Sequence, residues 1–178
     1  MPPETGRPPG SKYRGGQLRM KELFCIIGLF LSLSVQAEEV IGRVVGITDG
    51  DTLTVLDASH QQHKIRLMGI DAPERKQPFG ERARQNLAHL AFAQEVSVQW
   101  RKKHRNRLIG KVLVNGVDVS LEQIRSGMAW WYEAYRKDQT ERDRNLYSAH
   151  EADARQSRIG LWQDPAPVAP WDWRRRRK

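Results

Sequence analysis

The chain has 178 residues, a formal net charge of +9 and a sequence pI of about 10.0. That length is a prior for one domain, and the excess of lysine and arginine favours a polyanionic partner, nucleic acid ahead of an acidic membrane surface. One cysteine, Cys25, excludes a disulfide framework and any site built from several thiolates.

Residues Met1 to Gly16 are rich in proline, glycine and charge and have almost nothing to bury. Met20–Lys21–Glu22, an apolar run from Leu23 to Val35, and Val35–Gln36–Ala37 then match an export signal: a basic start, an apolar middle and a small residue before the cut. The run is short for a bilayer span. Residues 1–37 are therefore expected to be an N-terminal extension and cleavable signal, with Met20 the true start and cleavage after Ala37. A retained membrane anchor is the competing expectation. Cys25 lies inside the signal and not at the cut, which disfavours lipid attachment. Residues 1–37 hold five basic and two acidic residues, so the processed chain keeps a charge of +6. It is expected to be periplasmic or secreted, monomeric and without a stable membrane anchor.

Glu39 to Thr48 alternates around Val40, Val44 and Ile47 and reads as a strand. Asp49–Gly50–Asp51 is a turn, and Thr52 to Leu56 alternates again. Ala58 to Gln62 is a polar hairpin tip, and His63 to Ile70 is a third strand. Pro73 and Pro78 punctuate a loop before a helical period over Glu81 to Ala93, with Ala83, Leu87, Leu90 and Ala91 on one side. Val96, Val98 and Trp100 mark a fourth strand, Lys102 to Asn106 a basic turn, and Leu108 to Val114 a fifth strand ended by Asn115–Gly116. Val119 to Met128 reads as a second helix with Ser120 as N-cap. The aromatic residues Trp130, Trp131, Tyr132 and Tyr135 follow. Thr140 to Gln156 is a third helix, whose start pairs Thr140 with Asp143. The expected fold is α+β, mainly β: a five-stranded, partly closed OB-fold barrel with three packed α-helices over residues 38–163. Residues 164–178 are expected to form a Pro-rich and basic tail, solvated and adding nonspecific affinity for nucleic acid.

Two acids stand out. Asp51 opens one strand and Asp71 ends its antiparallel neighbour, so both fall at one edge of the sheet. Two close carboxylates need a proton or a cation, and oxygen ligands suit a hard one, Ca²⁺ or Mg²⁺. The competing reading is that Asp49 and Asp51 serve the turn and Asp71 caps a loop. Arg66 offers a planar fork suited to phosphate oxygens, and Glu74, after Pro73, is placed to orient or deprotonate a water. A basic cluster of Lys102, Lys103, His104, Arg105 and Arg107 supplies a second phosphate contact, and charge alone does not choose between Arg105 and Arg107.

Asp49–Gly50–Asp51–Thr52, Ile65–Arg66–Leu67 leading to Asp71–Ala72–Pro73–Glu74, and Arg107 together resemble the thermonuclease (staphylococcal nuclease-like) family over roughly Val40 to Trp162. The resemblance implies an OB-fold barrel with three helices and Ca²⁺-dependent hydrolysis of DNA and RNA that leaves 3′-phosphate ends. It implies a single Ca²⁺, with Mg²⁺ less favoured, held by the carboxylates of Asp51 and Asp71 and the backbone carbonyl of Ala72. It implies that Glu74 acts on the attacking water and that Arg66 and Arg107 hold the phosphate. Arg107 is preferred to Arg105 by its spacing to Asn115–Gly116. Arg105–Asn106 stands where the family often has a Tyr-Gly pair. Lys103, Arg105, Tyr132 and Tyr135 are expected to contact nucleic acid. The alternative is a non-catalytic OB-fold module that grips nucleic acid without cutting it, although modules of that kind typically lack the acids and arginines kept here.

Overall fold

The computed structural model describes residues 38–176. The export signal, Met20, the cleavage point after Ala37 and the last two residues of the basic run all lie outside the described residues.

Strand β1 (Glu38–Asp49) is long because it belongs to both sides of a barrel. Its first half pairs antiparallel with β5 (Glu95–His104) and its second half with β2 (Thr52–Asp57). Two register irregularities, at Val44/Gly46 and Ile47/Asp49, let it bend between those partners. β3 (Gln62–Leu67) continues the meander from β2, and β6 (Arg107–Val114) pairs with β5. A parallel pairing of β3 with β6 then closes the five strands into a barrel. β7 (Val117–Asp118) extends β6 at the edge. The barrel is filled by alternate residues of each strand, among them Val44, Leu53, Val55, Ile65, Leu67, Val98 and Val112, all at most 1 % exposed. The OB-fold expectation holds.

Closure decides the site. In the β3–β6 register Lys64 lies opposite Arg107, Ile65 opposite Leu108 and Arg66 opposite Ile109. Ile65 and Leu108 point into the barrel. By the two-residue period of a strand, Arg66 and Arg107 therefore share the opposite face.

Two strand boundaries differ from expectation. The third strand stops at Leu67, because Gly69 (φ 78°) turns the chain into a short β4 (Ile70–Asp71) that pairs with β8 (Trp130–Trp131) instead. β5 runs through Lys102 and Lys103 to His104, which faces Arg107 across the hairpin. The expected basic turn is thus reduced to Arg105–Asn106, with Arg105 at φ 54°.

Helix α1 (Gly80–Ala91) buries Gly80, Ala83, Leu87 and Ala91, one stripe of the helical period. Helix α2 (Val119–Arg125) is capped by Asp118 and not by Ser120: the Asp118 carboxylate accepts from the amides of Ser120 and Leu121 at 3.0 and 3.4 Å. The cap falls on Asp118 because Ser120 is already inside the first turn and fully buried. Helix α3 (Glu141–Gln156) starts as expected, with the Thr140 hydroxyl accepting from the Asp143 amide at 3.1 Å. Its inner face is unusually polar: Asp143 pairs with Lys111 at 2.7 Å, and the Tyr147 hydroxyl donates to Asp118 at 2.7 Å. Burial pushes the Tyr147 hydroxyl well above the usual phenol range, so it stays a donor.

The Asp49–Gly50–Asp51 turn is clamped from behind. Gln123 on α2 donates to the Gly50 carbonyl at 2.6 Å, and α1 presses Ala83 against Gly50. A Cβ at Gly50 would stand 2.6 Å from that of Ala83 and 2.7 Å from that of Ala72. Gly50→Ala is therefore expected to cost about 1–3 kcal/mol by overpacking, read as a lower urea midpoint with an unchanged slope.

A fourth helix was not expected. Pro170–Arg176 forms α4, with Pro170 buried.

Candidate active site

Asp51 opens β2 directly beside the end of β3, where the Leu67 amide donates to its carbonyl at 2.8 Å. The Gly69 turn carries Asp71 back to the same place. Arg66 joins them: one terminal nitrogen donates to Asp51 Oδ1 at 2.9 Å and the other to Asp71 Oδ1 at 2.8 Å. Asp51 also accepts from the Thr52 hydroxyl at 2.9 Å and from the Ala72 amide at 3.1 Å. Asp51 is 3 % exposed and Asp71 fully buried. The sheet edge does bring the two acids together.

Burial pushes the Asp51 carboxyl up from its ordinary value, Arg66 pulls it back down, and Asp49 and Asp71 push it up again. Asp51, Asp71 and Glu74 face two guanidiniums, that of Arg66 and, from α4, that of Arg174, so the acids outnumber the arginines by one. The oxygen-only donor set and that surplus charge fit a hard divalent cation. Among the described residues no three acidic or imidazole groups converge, so such an ion would draw on these two carboxylates, backbone oxygen and solvent or phosphate. Of the Ala72 backbone, the N–H is already committed to Asp51.

Glu74 lies at the mouth, 39 % exposed at its side chain. Its backbone is fixed by Gln77, which donates its amide to the Glu74 carbonyl at 2.7 Å while its side-chain oxygen accepts from the Glu74 amide at 3.1 Å. In front of these acids opens a groove of about 800 Å³. Arg66, Glu74, Arg107, Lys103, Arg105, Tyr132 and Tyr135 all line it. Arg107 reaches it on the face it shares with Arg66, while Arg105 sits at the exposed tip of the hairpin. Tyr132 is tethered by its amide to the Gly69 carbonyl at 2.9 Å and lies edge-on to Tyr135, centroids 4.9 Å apart. Trp130, by contrast, is core, 5 % exposed and packed edge-on to Trp162 at 5.0 Å.

Sequence reasoning missed three participants. Asp49, read only as a turn residue, lines the groove. Gln77 braces the Glu74 loop. Arg174 corrects the expectation of a solvated basic tail: it donates to Asp71 Oδ2 at 2.7 Å, to Asp71 Oδ1 at 3.2 Å and to Glu74 Oε1 at 2.8 Å. Its carboxylate partners outweigh its hydration, and its pKa is raised well above the ordinary arginine value, chiefly by the hydrogen bond to Asp71. No sequence signal separates Arg174 from the arginines that follow it.

Comparison with known proteins agrees with this geometry. The family described as Staphylococcal nuclease homologue matches residues 64–164. A protein named "Micrococcal nuclease" from Shigella flexneri is 42% identical over 147 residues, 77% of this chain and 82% of the relative. An "Uncharacterized endonuclease" from Escherichia coli O157:H7 is 35% identical over 160 residues, 89% of this chain and 100% of the relative. A third, "Uncharacterized endonuclease" from Haemophilus influenzae, is 37% identical over 137 residues, 76% of this chain and 74% of the relative.

Proposed function

The chain belongs to the staphylococcal nuclease homologue family, and on that premise we propose that this nuclease is a Ca²⁺-dependent endonuclease acting on both DNA and RNA, with little sequence preference and 3′-phosphate products. The observation that carries the reading is that Arg66, which lines the groove together with Glu74, Arg107 and two tyrosines, holds the buried Asp51 and Asp71 together directly behind it.

Each residue has a task that its position supports. Asp51 and Asp71 hold the cation, with the Ala72 backbone beside them. A divalent cation there supplies Lewis-acid polarisation of a phosphoryl oxygen. Arg66 and Arg107 grip the scissile phosphate from one face and neutralise charge that grows on its oxygens. Glu74 orients a water in line with the leaving oxygen and accepts its proton. Tyr132 and Tyr135 offer ring faces to bases, a contact indifferent to sequence. Lys103 and Arg105 on the hairpin attract backbone phosphates, so binding weakens as salt rises. Export through residues 1–37 to the periplasm or beyond, action as a monomer, and freedom from the membrane after cleavage belong to the same proposal.

The test is direct. The chain from residue 38 onward is incubated with DNA and with RNA, with Ca²⁺, with Mg²⁺ and with chelator. Loss of both polymers only with Ca²⁺, giving ends that need phosphatase treatment before extension by a polymerase, is expected. Polymer that is retarded in a gel but intact would point to a binding module. Cleavage in chelator would remove the metal from the reading.

A further inference from the structure

We propose that residues 164–176 form a strap that closes over the nuclease groove and competes both with the divalent cation and with a nucleic-acid base. The cation half of this rests on the Ca²⁺ reading above; the base half does not.

Two separate contacts, made by one short helix, land on the two halves of the substrate site. Arg174 on α4 binds both oxygens of Asp71 and one of Glu74, at 2.7, 3.2 and 2.8 Å. With Arg66 already on Asp71 Oδ1 at 2.8 Å, the Asp71 carboxylate accepts three guanidinium hydrogen bonds across its two oxygens. One of the two Glu74 oxygens, Oε1, accepts from Arg174 and is to that extent withdrawn from a water. A dication on Asp71 would compete with Arg174 for the Oδ2 atom that Arg174 holds at 2.7 Å, and would add to the two guanidiniums already on that carboxylate. Three residues earlier, Trp171 lies flat on Tyr132, centroids 5.2 Å apart and planes within 16°. A stacked indole covers the ring face that a base would use.

The strap is anchored yet releasable. Gln77, which braces the Glu74 loop, donates its side-chain amide to the Val168 carbonyl at 2.6 Å. Trp171 also meets Trp130 edge-on at 6.4 Å, and Pro170 is buried. Pro165, Pro167 and Pro170 stiffen the connection, lowering the entropy lost on docking. Against this, the Arg174 side chain is 41 % exposed, so solvent and salt screen its ion pairs. Polyanionic nucleic acid would draw Arg174, Arg175 and Arg176 away from the acids as it enters the groove.

The experiment compares the chain from residue 38 to 178 with its Arg174→Gln and Trp171→Ala variants, and with Asp51→Asn as a metal-site control. Ca²⁺ affinity is read by calorimetry. Binding of a fluorescein-labelled single-stranded oligodeoxynucleotide is read by anisotropy in chelator. A strap closed nine-tenths of the time leaves a tenth of the molecules competent, so its release tightens apparent binding roughly tenfold. Arg174→Gln is expected to tighten Ca²⁺ by about that factor, and Trp171→Ala to tighten the oligonucleotide. Unchanged or weaker Ca²⁺ binding by Arg174→Gln overturns the strap as a cation competitor. Weaker oligonucleotide binding by Trp171→Ala overturns it as a cover of the base platform and makes Trp171 part of the substrate surface. Absence of Ca²⁺ binding in every protein, Asp51→Asn included, overturns the metal reading and the cation half with it. That result is distinct from a normal affinity that Arg174→Gln leaves unmoved.

Discussion

Glu74→Gln is expected to lower turnover on DNA by about a hundred- to ten-thousand-fold with no loss of oligonucleotide affinity. The substitution is a clean one because of how Glu74 is held. Its backbone is fixed on both sides by Gln77, so the loop keeps its shape whatever the side chain. The carboxylate is 39 % exposed at the groove mouth and supports no core packing, so the melting temperature should not move. Glutamine keeps the size and hydrogen-bonding reach and loses only the ability to take a proton. The ion pair with Arg174 sharpens the test. If Glu74 served only to latch the strap, its neutralisation would free the groove and turnover would rise. A fall in single-turnover rate without loss of affinity therefore assigns Glu74 to the water, whereas an unchanged or higher rate removes it from the chemistry.

Much of the barrel was readable because it is written in local alternation. Val44, Leu53, Val55, Ile65 and Leu67 all fall at inward positions that a period of two marks out, and Asp49–Gly50 marks the first turn. Thr140 announces its helix because a cap is a three-residue pattern. The boundaries that moved did so for long-range reasons. Asp118 caps in place of Ser120, which lies inside the first turn, and its carboxylate is held there by the Tyr147 hydroxyl, a partner 29 positions away. The third strand broke at Gly69 because Ile70 and Asp71 find Trp131 and Trp130 to pair with. The site divides in the same way. Arg66 and Asp71 are five positions apart, and that short span carries their meeting. Arg107 needed barrel closure to reach them. Arg174 lies 103 positions from Asp71, in a run of basic residues with no periodicity, and only folding singles it out.

Arg66→Ala and Arg107→Ala are expected to share a kinetic defect and to differ in stability. Each removes one guanidinium from the same face of the groove, and each should lower turnover by about a hundred- to a thousandfold through loss of charge stabilisation at phosphorus. Arg66 has a second duty. It is 23% exposed at its side chain and bridges Asp51 and Asp71, which are buried. Its loss leaves two acids face to face, with Arg174 reaching only Asp71 and Glu74. Breaking a buried pair from one side costs several kcal/mol; the remaining Arg174 contact reduces that to about 2–3 kcal/mol for Arg66→Ala, read from urea unfolding in chelator. Arg107 makes no ion pair among the described residues and sits half-buried at the start of β6. Its removal should stay within about 0.5 kcal/mol of the parent. Calcium then separates the two variants a second time. A cation bound only by the folded protein stabilises it in proportion to its affinity. In Arg66→Ala that ion would meet acids with one fewer competing cation, so saturating Ca²⁺ should raise stability by more than it does in Arg107→Ala. Equal Ca²⁺ increments in the two variants would mean that Asp51 and Asp71 do not hold the ion, and the metal site would have to be sought elsewhere on the groove.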